Sequence, residues 1–181
     1  MEKVFGKKGE FFPIKEDASR IVIGYGFEAV DKNNATWYEV YLYKKQTSQI
    51  SLEIVKNAII NDINKRTDEK IVSGMVWKPK LGGEPIPVWL STENQFNFKS
   101  AYDLAVQKQG ATLPVTFKMG EDEEGNPIYH TFETMEDADD FYLHAMAYIK
   151  TTLAAGWSEK DSIDWTPYEE YFPKNDNTSQ E

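Results

Sequence analysis

Two histidines, His130 and His144, are the only side chains of this 181-residue chain whose ordinary titration falls near neutrality, which makes them the first candidates for acid–base chemistry. Neither stands at a recognised spacing from a nucleophile, so a general base here would have nothing to activate. The run Glu121-Asp122-Glu123-Glu124, followed by Gly125, suggests a calcium loop. The alternating ligands and the distal bidentate glutamate of an EF-hand are out of register, and the run reads instead as a solvated hairpin tip. Gly24-Tyr25-Gly26 lacks the third glycine and the strand-to-helix context of a dinucleotide loop. The chain has no cysteine, which excludes disulfides and zinc–thiolate sites and fits a reducing compartment. No catalytic, metal or cofactor-binding residue is assigned on these grounds, and the chain is expected to be non-enzymatic with no cofactor. The remaining chemistry is aromatic: Trp37, Tyr38, Tyr41 and Tyr43 could stack on sugar rings or bases, or form core and subunit contacts.

These residues must be carried by some set of elements, and the pattern describes an α+β chain. Residues 20–30 and 35–44 are β-branched and aromatic stretches separated by Asp31-Lys32-Asn33-Asn34, a hairpin in which the clustered aromatics suit a strand covered on both faces. Ser51 can cap a helix whose stripe is Leu52, Val55, Ile59, Ile60 and Ile63, with Lys56, Asp62, Lys65 and Arg66 facing water until Ser73-Gly74. Met75-Val76-Trp77 and Val88-Trp89 read as a wide hairpin around a Gly- and Pro-rich loop. Thr92 with Gln95 has capping-box spacing, and Phe98, Tyr102, Ala105 and Val106 then recur at helical spacing up to Gly110. Residues 113–118 and 128–132 form another hairpin. Thr134 with Asp137 signals a second cap, for a long helix marked by Met135, Ala138, Phe141, Tyr142, Ala145, Tyr148 and Ile149 and ending near Gly156. The predicted fold is thus β-hairpins packed with about three amphipathic helices, an aromatic-rich core and an N-terminal β arm. Its core is expected to gather Trp89, Phe98, Tyr102, Phe117, Phe141 and Ile149.

Charge is unevenly distributed. Residues 1–120 hold 17 basic and 14 acidic side chains, hence +3; residues 121–181 hold 3 basic and 16 acidic, hence −13. An acidic end argues against nucleic acid as a partner, since phosphate neutralisation needs clustered Lys and Arg. Glu136, Asp137, Asp139 and Asp140 suit the positive end of a helix dipole, and with the 159–181 segment they also offer a surface for a basic partner. No apolar run approaches the roughly 20 residues of a membrane span, and the start Met-Glu-Lys-Val-Phe lacks a secretory apolar segment, so cytosolic synthesis is expected.

The series Trp37-Tyr-Glu-Val-Tyr-Leu-Tyr, the helix from Ser51, Val88-Trp-Leu-Ser-Thr-Glu-Asn-Gln-Phe-Asn, Leu113-Pro-Val-Thr-Phe-Lys and the closing Gly156-Trp-Ser-Glu-Lys-Asp-Ser-Ile-Asp-Trp165 resembles an uncharacterised domain family. That family recurs in structural and tail-associated proteins of tailed bacteriophages and prophages of gut bacteria. The resemblance covers roughly residues 35–165 and rests on the order of the parts. It carries no catalytic residues to transfer. It implies a virion component of the tail or an appendage, made in the host bacterial cytoplasm, present in several copies and contacting other virion proteins as a homo- or hetero-oligomer, with no nucleic acid and no membrane as partner. A tail-fibre assembly chaperone absent from the particle is the alternative, and a small glycan-directed enzyme a further one.

The organisation expected is an N-terminal arm and aromatic hairpin at 1–47, an α+β domain at 48–165 and a polar, flexible tail at 166–181. The strands at 20–30 and 35–44, long, aromatic and flanked by Gly9 and a flexible, basic N-terminal stretch, are expected to pair with another subunit or a different virion protein. Interface candidates are Trp37, Tyr38, Tyr41 and Tyr43 from the hairpin and Glu136, Asp137, Asp139 and Asp140 from the acidic helix start.

Overall fold

The computed structural model describes residues 3–44, 50–80 and 82–172, and structural statements refer to these; the polar stretch 174–181 lies outside them. The fold is mixed α+β, with antiparallel hairpin sheets, long helices, an aromatic-rich core and an N-terminal strand. The chain divides into two compact units, residues 1–66 with 157–181, and residues 67–156. The division falls inside two long helices.

In the first unit, strands β1 (Val4–Lys7), β2 (Ile14–Glu16), β3 (Arg20–Ala29) and β4 (Asn34–Tyr43) form an antiparallel sheet in the order β1-β4-β3-β2. Short polar side chains make its turns. The Asp31 carboxylate accepts the backbone N–H groups of Asn33 and Asn34 between β3 and β4, and Asp17 accepts those of Ser19 and Arg20 between β2 and β3. On β3 the period of two places Ile21, Ile23 and Tyr25 on one face. They meet Val55, Ile59 and Ile63, which recur every four residues along α1 (Leu52–Ser73). Ser51 caps α1 as expected, its hydroxyl accepting the Ile54 N–H at 3.3 Å.

The N-terminal stretch, expected to be flexible, is built into this sheet. Val4 to Lys7 pair with Trp37 to Asn34, Ile14 to Glu16 pair with Ile23 to Ile21, and Ile14 joins the core. The segment between β1 and β2 crosses the face of β3 opposite α1, so close to Gly24 that a Cβ there would lie 2.5 Å from the Phe12 carbonyl oxygen. Residues 166–171, expected as tail, form a short helix, α4 (Thr166–Tyr171), because Tyr168 is buried in the same core.

In the second unit, β5 (Met75–Trp77) pairs with β6 (Ile86–Val88), and β7 (Val115–Glu121) with β8 (Pro127–Phe132). Helix α2 (Thr92–Gln107) and residues 135–156 of α3 (Met135–Asp161) close the core. Phe98 and Phe141 are buried, their rings edge to face with centroids 5.0 Å apart. Tyr102, Phe117 and Ile149 pack against them part-buried. Trp89 is a correction: it is 39% exposed, since the strand alternation that buries Val88 and Leu90 turns it outward beneath the Lys118 ammonium. Its expected place is held by Trp77, 1% exposed, whose ring meets Phe132 and Phe141.

Two helix boundaries also shift. Ser91, not Thr92, caps α2, accepting the Asn94 N–H at 3.2 Å, while Gln95 donates to the Leu90 carbonyl instead of completing a capping box. Helix α3 runs through Gly156 to Asp161. Gly156 serves close packing there rather than termination, for a Cβ would come within 2.4 Å of the Thr67 hydroxyl.

Candidate functional site

The acidic start of α3 is spent on the fold. Asp137 is buried, receives a hydrogen bond from His130 Nε2 at 2.7 Å, and has its N–H accepted by the Thr134 hydroxyl at 3.2 Å. Asp140 accepts from Trp77 Nε1 at 3.0 Å and from the Lys80 N–H at 3.2 Å. Asp139 accepts from Tyr102 at 2.8 Å, and Glu136 pairs with Lys80 at 3.3 Å. Asp137 therefore cannot be an exposed interface residue, and Asp140, at 11% side-chain exposure, offers little more. A helical period of 3.6 aims both inward, which the charge count alone could not reveal. His144 donates through Nδ1 to the Asp140 carbonyl at 2.7 Å. Among the described residues the structure brings no serine, threonine or lysine nucleophile into a hydrogen bond with either histidine. Nor, among them, is there a cluster of three or more His, Cys, Asp or Glu able to hold a metal, or a helix long and apolar enough to cross a membrane.

The aromatic candidates on β4 separate by face. Trp37 is buried on the face away from α1, its indole N–H donating to Glu39 at 3.0 Å and its ring meeting Phe11 edge to face at 5.9 Å. Tyr38 points the other way and stacks on Tyr25, centroids 5.4 Å apart. Tyr41 and Tyr43 remain exposed, Tyr41 bonded to Glu39 through its hydroxyl and lying under the Arg20 guanidinium.

A polar cluster in the first unit was missed by sequence reasoning, which placed Asp62 and Arg66 in water. Tyr25 donates to Asp62 at 2.5 Å. Arg66 donates to Asp62 at 3.2 Å, to the Tyr25 oxygen at 2.9 Å and to Glu159 at 2.6 Å, and its guanidinium lies 3.8 Å from the Tyr38 ring centroid. Asp62 and Arg66 are one helical turn apart and share the apolar stripe's flank, so both are drawn under the sheet. Burial raises the Tyr25 pKa, as does its bond to Asp62, keeping the hydroxyl a donor. Burial works against the Arg66 charge, but the bonds to Glu159 and Tyr25 outweigh it and the pKa rises. The only signal in sequence is Asp62 lying next to Ile63 in the stripe, three residues after Ile59.

This cluster underlies a cleft of about 500 Å³ bordered by Phe27, Glu159, Ser162, Asp164 and Pro167. A bulge shapes its wall: Gly26 and Phe27 together oppose Trp37, and Gly26 adopts φ +65°. That left-handed conformation favours glycine and re-aims the next side chain, Phe27, into the cleft. Asp164 accepts from Thr166, and these bonds lower its pKa. In the second unit a separate groove of about 310 Å³ runs between α2 and α3, where Phe96 and Met146 are exposed on either side.

A family described as Domain of unknown function (DUF4376) matches residues 54–177. The chain belongs to that family. Comparison with curated proteins and with solved structures finds no match. The DUF4376 match fits the uncharacterised domain family expected from the sequence, although it begins at 54 where the resemblance began at 35. It takes in Asp62, Arg66, Glu159 and Tyr168 and leaves strands β1 to β4 outside, so the polar cluster joins DUF4376 residues to Tyr25 and Tyr38 of the preceding sheet.

Proposed function

We propose that this chain is a non-enzymatic structural component of a tailed-phage virion, associated with the tail or an appendage and acting through protein–protein interfaces. The observation that carries the interaction part is the strip on the second unit formed by Phe96 of α2 and Met146 of α3, which line one groove and are exposed by 69% and 45%. Large apolar side chains gathered at that level of exposure suit a surface covered by a neighbour. The histidines and acidic residues that might have done chemistry in this unit are engaged with Trp77, Tyr102, Lys80 and backbone groups, which suits a structural role. The phage association rests on the resemblance of the ordered sequence blocks. On this reading the chain is made in the host bacterial cytoplasm, enters the particle in several copies and contacts other virion proteins.

Quantitative mass spectrometry of purified particles tests it. A structural component is present at a fixed stoichiometry to a tail protein; absence from the particle, with presence in the infected or induced cell, overturns the reading in favour of an assembly chaperone.

A further inference from the structure

We propose that the cleft of the first unit is a binding site for a neutral saccharide, a function separate from the virion contacts above. Its volume, about 500 Å³, lies within the range of small-molecule sites. Its lining is mixed, in contrast to the apolar groove between α2 and α3.

The apolar part is formed by Phe27 and Phe11, which both line the cleft. Phe27 is 44% exposed, and the bulge directs it into the cleft. Phe11 packs against Phe27 with centroids 5.1 Å apart, and Phe11 in turn rests on Trp37. A ring fixed in this way presents the negative face of its quadrupole to partially positive C–H groups, the complement of one face of a pyranose. Tyr38 does not supply this surface, since Tyr25 stacks on it and the Arg66 guanidinium sits over it.

The polar part favours hydroxyl groups over ions. Of the charged side chains that line the cleft, one cation, Lys3, stands against two carboxylates, Glu159 and Asp164, and the local excess of negative charge disfavours phosphates and other anions. A cationic ligand would have to compete with Arg66 both for Glu159 and for the Tyr38 ring, which leaves it Asp164 as the lining carboxylate that no lysine or arginine holds among the described residues. A neutral polyol needs neither exchange. Glu159 gives Oε1 to Arg66 and keeps Oε2 as an acceptor; the Ser162 hydroxyl donates to the Glu159 carbonyl and keeps its lone pairs. The Arg66 bonds hold the carboxylate in place before any ligand arrives, which limits the entropy lost on binding.

The test is an NMR titration of the isotope-labelled full chain with the methyl glycosides of glucose, galactose and N-acetylglucosamine. N-acetylneuraminic acid serves as the anionic control and tetramethylammonium as the cationic one. The expected result is a saturable shift of the Gly26, Phe27 and Ser162 amides with at least one neutral glycoside. Phe27→Ala should weaken it about tenfold or more with the unfolding midpoint unchanged, while Phe96→Ala in the other unit leaves it intact. The proposal is overturned if no neutral glycoside shifts these amides up to about 50 mM, a range that would reveal even very weak sites. It is equally overturned if the shifts survive Phe27→Ala, or if either charged control binds there more tightly than every glycoside. None of these results bears on particle composition, so the virion reading fails or stands separately.

Discussion

Tyr168 donates its phenolic hydroxyl to the Gly24 carbonyl at 2.6 Å, a buried bond between residues 144 positions apart. Its cause lies in a third residue. Gly24 donates its N–H to the Pro13 carbonyl at 3.1 Å, and the reciprocal bond of that antiparallel pair would require an N–H that proline lacks. Tyr168 supplies the missing donor from α4, and burial raises its pKa so that it remains one.

Tyr168→Phe removes the donor and little volume, leaving a buried carbonyl unpaired. The expected cost is about 1–3 kcal/mol. Urea unfolding should show a lowered midpoint at unchanged slope; a shift worth under about 0.5 kcal/mol would mean that water satisfies Gly24.

Arg66→Met strands the Asp62 carboxylate, whose side chain is only 6% exposed, and should cost about 3–5 kcal/mol. Adding Asp62→Asn should recover part of that loss, because a neutral amide needs no countercharge. A double variant no more stable than Arg66→Met would place the importance of Arg66 in its packing on Tyr38 instead.

Acid should weaken the first unit through its turns. Asp17 is held well below the usual carboxylate range by hydrogen bonds from Ser19 and Arg20, and Asp31 is lowered by bonds from Asn34 and Asn33. A depressed folded pKa means that the unfolded chain binds the proton first, so this stabilisation is complete above the ordinary aspartate value of about 3.9 and is lost as pH falls through the folded values. Unfolding followed from pH 5 downward should therefore show declining stability, and Asp17→Asn with Asp31→Asn should flatten that decline. An unchanged slope in the double variant would assign acid sensitivity to other carboxylates.

In the second unit, Phe141→Ala should cost about 3–5 kcal/mol, as removal of a large buried aromatic does, whereas Trp89→Ala should cost less than about 1.5 kcal/mol despite the larger side chain. Thermal or denaturant unfolding of the two variants side by side gives the ordering. The reverse order would make Trp89 part of the core.

Local rules were legible in the chain itself. Ser51 before Leu52 and Asp31 in its turn each depend on neighbours within a few residues, and each is found as the spacing predicts. Gly110, expected just beyond α2, adopts φ +83° there. The polar residues that matter most obey no such local rule. Asp62 and Arg66 look like a solvated i, i+4 pair until Tyr25, 37 positions before Asp62, and Glu159, 93 positions after Arg66, close over them. Asp137 and Asp140 look like dipole charges until His130 and Trp77 claim them. Sequence by itself determined the three long helices and the hairpins, because hydrogen bonding, capping and periodicity act over a few residues, but not α4, which forms where Tyr168 enters the core. Only the tertiary structure decided which charges are buried and which face of β3 needs Gly24 and Tyr168, because the cost of an unpaired polar group depends on what covers it, and the covering segments here come from the far ends of the chain.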